Sequence, residues 1–183
     1  MGYFVRVVKH IDSWPSEESP KFKVKRLKSD AISELSTVNN ELSWWHTDNP
    51  QEDTLAKVTA AILSKNNDIP KIIYLVVIPE EILNKKFHIA NTPDKSHALT
   101  LIDDMRKHHH DMQNINYKLL GVIAKLIANG TSKKRPEIKI IPLDRDKVIK
   151  ELAKACTDRR LDINKLKNEV LKLVQKWIDS HQP

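Results

Sequence analysis

Glycine is almost missing from this chain, with Gly2, Gly121 and Gly130 the only three in 183 residues. A chain this poor in glycine cannot build the Gly-rich phosphate loops of dinucleotide-binding or P-loop enzymes. Cysteine is scarcer still. The single Cys156 excludes an internal disulfide framework and any multi-cysteine zinc site, and fits a reducing compartment. No long apolar run exists either. The longest, Ile72 to Ile78, has seven residues, against the roughly 20 needed to cross a bilayer. The opening residues Met1 to His10 are interrupted by Arg6 and Lys9 and lack a small-residue cleavage pattern, so no secretory signal is expected. Met1-Gly2 lacks the Ser or Thr at position 6 that acylation of Gly2 would want. No Gly-x-Ser-x-Gly elbow is present. The expectation is a soluble, cytoplasmic protein without a membrane span.

What the chain does have is positive charge, and it is unevenly spread. The formal net charge is +7. Residues 1–30 carry 7 basic and 4 acidic groups, residues 31–130 carry 10 and 12, and residues 131–183 carry 14 and 8. Two basic ends around a slightly acidic middle favour an acidic partner, either nucleic acid or protein.

Hydrophobic periodicity and turn residues predict a single mixed α/β domain over residues 1–183, with one mixed sheet of about four to five strands flanked by helices. Tyr3 to Ile11, rich in Val and Phe and closed by Asp12-Ser13-Trp14-Pro15, reads as a buried strand. Lys21 to Lys25 alternates lysine with apolar residues, as an edge strand with one basic wet face would. A short helix from Ser29 to Leu35, a strand over Leu42–His46 and a helix over about 50–65 follow. The last of these is introduced by Asn49-Pro50-Gln51-Glu52. The run Ile72–Ile78, apolar at every position, predicts a central strand covered on both faces. A brief helix over Glu80–Leu83, a strand over Glu137–Ile141 stopped by Pro142, and two C-terminal helices within 145–180 complete the pattern. Strands alternating with helices imply some parallel pairs joined by crossovers.

Between Thr92-Pro93-Asp94 and Gly130 lie about 36 residues without proline. They predict one long helix near 93–129, roughly 50 Å long if continuous. Leu101, Met105, Met112, Ile115, Leu119, Ile123 and Leu126 fall on one stripe of it. Such length makes the helix a candidate contact between two copies of the chain. His97, Asp104, His108 and Asp111 lie along the edge of that stripe, within about 60° of one another on an ideal helix. Imidazole beside carboxylate is suitable chemistry for acid–base catalysis or for a divalent metal, yet the spacing matches no His-Glu-x-x-His ligand pattern. The competing reading is a polar rim hydrogen-bonded to neighbouring loops. No particular metal or cofactor is indicated.

Lys21, Lys23, Lys25 and Arg26 form one basic segment, Lys133, Lys134 and Arg135 a second, and Arg159 and Arg160 a third. If they converge, they make a phosphate-binding surface, and Trp45 or Trp44 supplies a platform for a base. Otherwise they are solvated charge, and each Trp is covered by a helix. Two functional expectations follow. One is a non-catalytic interaction module that binds nucleic acid or an acidic protein through its basic ends. The alternative is a small metal- or His/Asp-dependent enzyme acting on nucleotides or phosphodiesters through His97, Asp104, His108 and Asp111.

Overall fold

A computed structural model describes residues 2–15, 29–35, 37 and 39–181, without the side chains of residues 32, 97 and 98. The predicted basic strand at 21–25 lies outside the described residues. Six strands form one sheet: β1 (Tyr3–Val8), β2 (Leu42–Thr47), β3 (Ile72–Pro79), β4 (His88–Asn91), β5 (His109–Gln113) and β6 (Lys139–Asp144). Their order across the sheet is β4-β5-β2-β1-β3-β6, and every pairing is antiparallel. The expected parallel pairs are therefore absent. The helices at Glu52–Leu63, Glu80–Asn84 and Tyr117–Thr131 each join two strands of the same direction, β2 to β3, β3 to β4 and β5 to β6, but an oppositely directed strand always lies between the two, so crossovers occur without parallel neighbours.

Side-chain alternation sends successive residues to opposite faces. Val5, Trp45, Leu75, Val77 and Leu143 face α2 (Glu52–Leu63), α5 (Arg145–Thr157) and α6 (Asn168–His181). Phe4, Trp44, Val76, Ile78 and Met112 face α1 (Ser29–Ser33), α3 (Glu80–Asn84) and α4 (Tyr117–Thr131). The molecule has two apolar cores separated by the sheet. Each fully buried Leu, Ile or Phe contributes roughly 1.5–3 kcal/mol of burial free energy. β3 is covered on both sides from Ile73 onward, with Tyr74 partly buried, whereas Ile72 at its start is exposed, so the predicted coverage begins one residue later than the apolar run.

The largest departure from expectation is the segment 93–129, which is not one helix. It contains a 3-10 turn at Asp94–Ala98, a second at Asp103–His108, strand β5 and helix α4. The punctuation is supplied by asparagine. Asn114 adopts φ 56°, a left-handed conformation that asparagine tolerates better than most residues. Asn116 then caps α4 by accepting a hydrogen bond from Leu119 N at 3.0 Å. A homo-oligomer through a long helix loses its premise with that helix. Farther along, β6 continues past Pro142. This is permitted because β6 is an edge strand, whose outer side needs no proline N–H. Asp162 caps a short 3-10 turn at Ile163–Lys165, and α6 starts only at Asn168.

Candidate functional site

The antiparallel register gathers the beginning of β1 and β5 and the end of β2 and β3 at one end of the sheet. Phe4 lies opposite His46, Tyr3 opposite Pro79 and Trp44 opposite His110. Glu80, the first residue of α3, is fixed there by its own N–H, which donates to Gly2 O at 2.9 Å. Its carboxylate Oε2 lies 3.2 Å from His46 Nε2, and its Oε1 accepts from Asn84 Nδ2 at 3.0 Å. A carboxylate can only accept here, so the His46 Nε2 hydrogen is directed at Glu80 and the ring is oriented with Nδ1 unengaged. Gly2 is required by this packing. A Cβ there would overlap both His46 Nε2 and Glu80 Oε2.

Two further rings stand beside the pair. His46 and His110 have centroids 5.5 Å apart, and Phe4 stands edge-on to both, at 5.4 Å and 5.5 Å. His110 Nδ1 lies 3.1 Å from the His108 carbonyl, which only accepts, so Nδ1 carries the hydrogen and Nε2 faces Asn91 Nδ2 at 3.3 Å. His108 is half-buried, and its ring makes no hydrogen bond with the described residues. Burial lowers the His108 imidazole below its ordinary value, helped by Lys107 and His46, with Asp48 and Asp104 pulling the other way. Burial lowers His110 as well, with His46 and His109 adding to the effect and the bond to the His108 carbonyl and Glu80 opposing it. Both rings are therefore neutral at pH 7, a state in which imidazole can accept a proton.

The opposite face of β5 carries a separate polar cluster. Asp111 is 3% exposed and accepts from Ser43 Oγ at 2.9 Å and from Thr92 Oγ1 at 2.9 Å. His109, fully buried, lies beside it, with its ring edge-on to Trp45.

The four residues expected on one helical edge are thus dispersed. The His97 side chain lies outside the described residues. Asp104 is exposed and engaged by Arg160 at 3.1 Å. His108 joins the cluster with His46, while Asp111 sits in the buried cluster on the other side of the sheet. Among the described residues, no group of three or more His, Cys, Asp or Glu side chains is arranged to hold a metal ion.

The basic residues fare differently from one another. Lys21, Lys23, Lys25 and Arg26 lie outside the described residues. Arg135 pairs with Glu137 and Arg160 with Asp104 and Asp158. Lys133, Lys134 and Arg159 are exposed. Trp45 and Trp44 are 4% and 0% exposed, so both are core residues on opposite faces and neither offers a ring to a base. Open grooves follow α6 past Ile163, Leu171, Gln175 and Ile178, and none of the clustered histidines lines them.

Sequence reasoning places His46 at the end of a strand and misses Glu80 and His110 as its companions. The triple histidine was the available signal. His108 ends a 3-10 turn and His110 follows on β5, an arrangement that a helical reading of the same residues conceals. No family model matches this chain, and no curated protein and no solved structure matches it.

Proposed function

We propose that His46, His108 and His110, with Glu80, form the acid–base centre of a small enzyme that acts on phosphodiesters or nucleotides. The observation that carries this reading is His108 itself, a half-buried imidazole held neutral and without a hydrogen-bond partner among the described residues, near a second imidazole oriented by a carboxylate. His108 is the base that takes the proton of an attacking hydroxyl or water. His46 is the acid that returns a proton to the leaving oxygen through Nδ1, while Glu80 stabilises the charge on its ring. His110 closes the site as a neutral neighbour. The exposed Lys85, Lys86 and Lys107 adjoin these elements and supply positive charge for an anionic substrate.

The test is turnover of a bis-aryl phosphodiester, 2′,3′-cyclic nucleotides and a short RNA by the purified protein. His108→Ala is expected to lower kcat by about 10²–10⁴-fold, the usual worth of a positioned general base, with unchanged circular dichroism. Absence of turnover by the wild type, or full activity in His108→Ala, would overturn the proposal.

A second reading is favoured by the exposure of Lys133, Lys134 and Arg159 on a chain of net charge +7. In this reading the basic segments hold nucleic acid or an acidic protein. Binding of fluorescent DNA and RNA that weakens steeply between two salt concentrations is its expected signature, because phosphate contacts release counterions.

A further inference from the structure

The buried polar cluster on the far face of β5 contains an atom with no hydrogen-bond partner among the described residues. His109 is 0% exposed, and its Nε2 makes no hydrogen bond. The hydrogens around it can be assigned from their neighbours. Thr92 Oγ1 donates its only hydrogen to Asp111 Oδ2 at 2.9 Å. Toward His109 Nδ1, 3.0 Å away, it can therefore only accept, and the Thr92 carbonyl, 3.1 Å from the same nitrogen, also only accepts. Two acceptors converge on Nδ1, so Nδ1 bears a hydrogen.

The other ring nitrogen faces Asp111 Oδ1 at 3.7 Å. With Nδ1 protonated, a neutral ring would aim the Nε2 lone pair at a carboxylate in a buried site, two acceptors facing each other. A second ring hydrogen converts that clash into attraction. The other charged and titratable groups around the pair do not remove the need for it. Lys95, which acts on Asp111 from the 3-10 turn at Asp94–Ala98, is exposed and holds both oxygens of Glu41 at 2.6 Å. His110 points to the opposite face, and β2 presents only Ser43 and Trp45.

We propose that His109 is held as an imidazolium, ion-paired with Asp111, and that this pair positions the segment 92–108. Thr92 enters the segment and bonds both partners, and His109 N–H and C=O belong to the strand that leaves it. The backbone closes the same loop, with Thr92 N–H donating to His109 O at 3.0 Å. His109 is thus a positioning residue for His108. Its effect on activity rests on the acid–base reading given above, whereas its protonation does not.

The experiment is a long-range 1H–15N correlation spectrum of the full-length protein at pH 7, with His109 assigned by His109→Gln. Two protonated ring nitrogens are expected for His109, and the Nε2 signal of Asp111→Asn should move to the position of an unprotonated nitrogen. One protonated and one bare nitrogen in the wild type would overturn the proposal, whether or not Asp111→Asn folds. Loss of phosphodiester turnover with an intact imidazolium signature would instead count against the acid–base reading alone.

Discussion

His46 Nε2 and Glu80 Oε2 meet at 3.2 Å directly over Gly2, so that a main-chain position without a side chain forms the floor of the candidate site. Gly2→Ala would place a methyl group where both polar atoms now stand. Both are side-chain ends and would have to swing aside, the Glu80 carboxylate by giving up its bond from Asn84. The expected result is a loss of about 1–3 kcal/mol of stability, the usual cost of overpacking, together with a displaced His46 ring. Thermal unfolding and the His46 ring resonances measure the two effects, and an unaltered pair would contradict the packing described.

The depressed titration of His108 and His110 makes stability depend on pH in a definite direction. Both native values lie below 6.5, so the unfolded chain binds more protons than the folded one in the range between them. Stability from these rings is complete above about pH 6.5 and is lost as pH falls through that value toward the native ones. Both rings are about half exposed to solvent, which keeps the effect modest. The melting temperature should fall between pH 7 and pH 5, and the double variant His108→Gln, His110→Gln should fall less steeply. An identical slope in the variant would refute the assignment. By the same reasoning, the acidic limb of kcat/KM should lie below pH 6.5.

Arg6 is a partly buried cation whose partners are mostly carbonyls. Its guanidinium donates to Ser43 O at 2.6 Å and to Glu34 O at 2.7 Å, tying β1 to β2 and to the end of α1. Burial lowers it to about 10, with Glu34 partly opposing. The Glu34 carboxylate is itself occupied by the N–H groups of Lys9 and His10. Arg6→Met strands two acceptors and should cost about 1–3 kcal/mol. Amide exchange at Lys9 and His10 should accelerate in step, because Glu34 loses the group that seats it. Exchange at the wild-type rate would show that Arg6 does not anchor this corner.

Strand β3 was legible because apolar residues at every position have one explanation in a protein of this size, a strand between two helical layers. Helices α2 and α5 were legible from their stripes and their first turns. The segment 93–129 was not. Its apolar residues satisfy a helical spacing by coincidence, no proline follows Pro93 within it, and its one glycine, Gly121, lies within α4 and not at a break. The asparagines at 114 and 116 were the punctuation, and they carry less weight by eye than Gly or Pro would. The candidate site suffered for a different reason. Glu80 is 34 residues from His46 and comes to it through the register of three strands, which periodicity within a single element cannot supply. Of the two readings for Trp45 and Trp44, base platform or coverage by a helix, the structure bears out coverage, because helices pack on both faces of the sheet.

The strand order has a temporal side. β1 stands between β2 and β3, so the first three strands to be translated are neighbours in the sheet. β6 is added last on the outside of β3. On the other flank the sequence of synthesis and the sequence of position disagree, since β4 is made before β5 yet touches only β5. Until His109–Gln113 has left the ribosome, β4 has no strand to join. The histidines at the start of β5 are thus part of the piece that completes the sheet, and the candidate site cannot exist as an early, half-made structure.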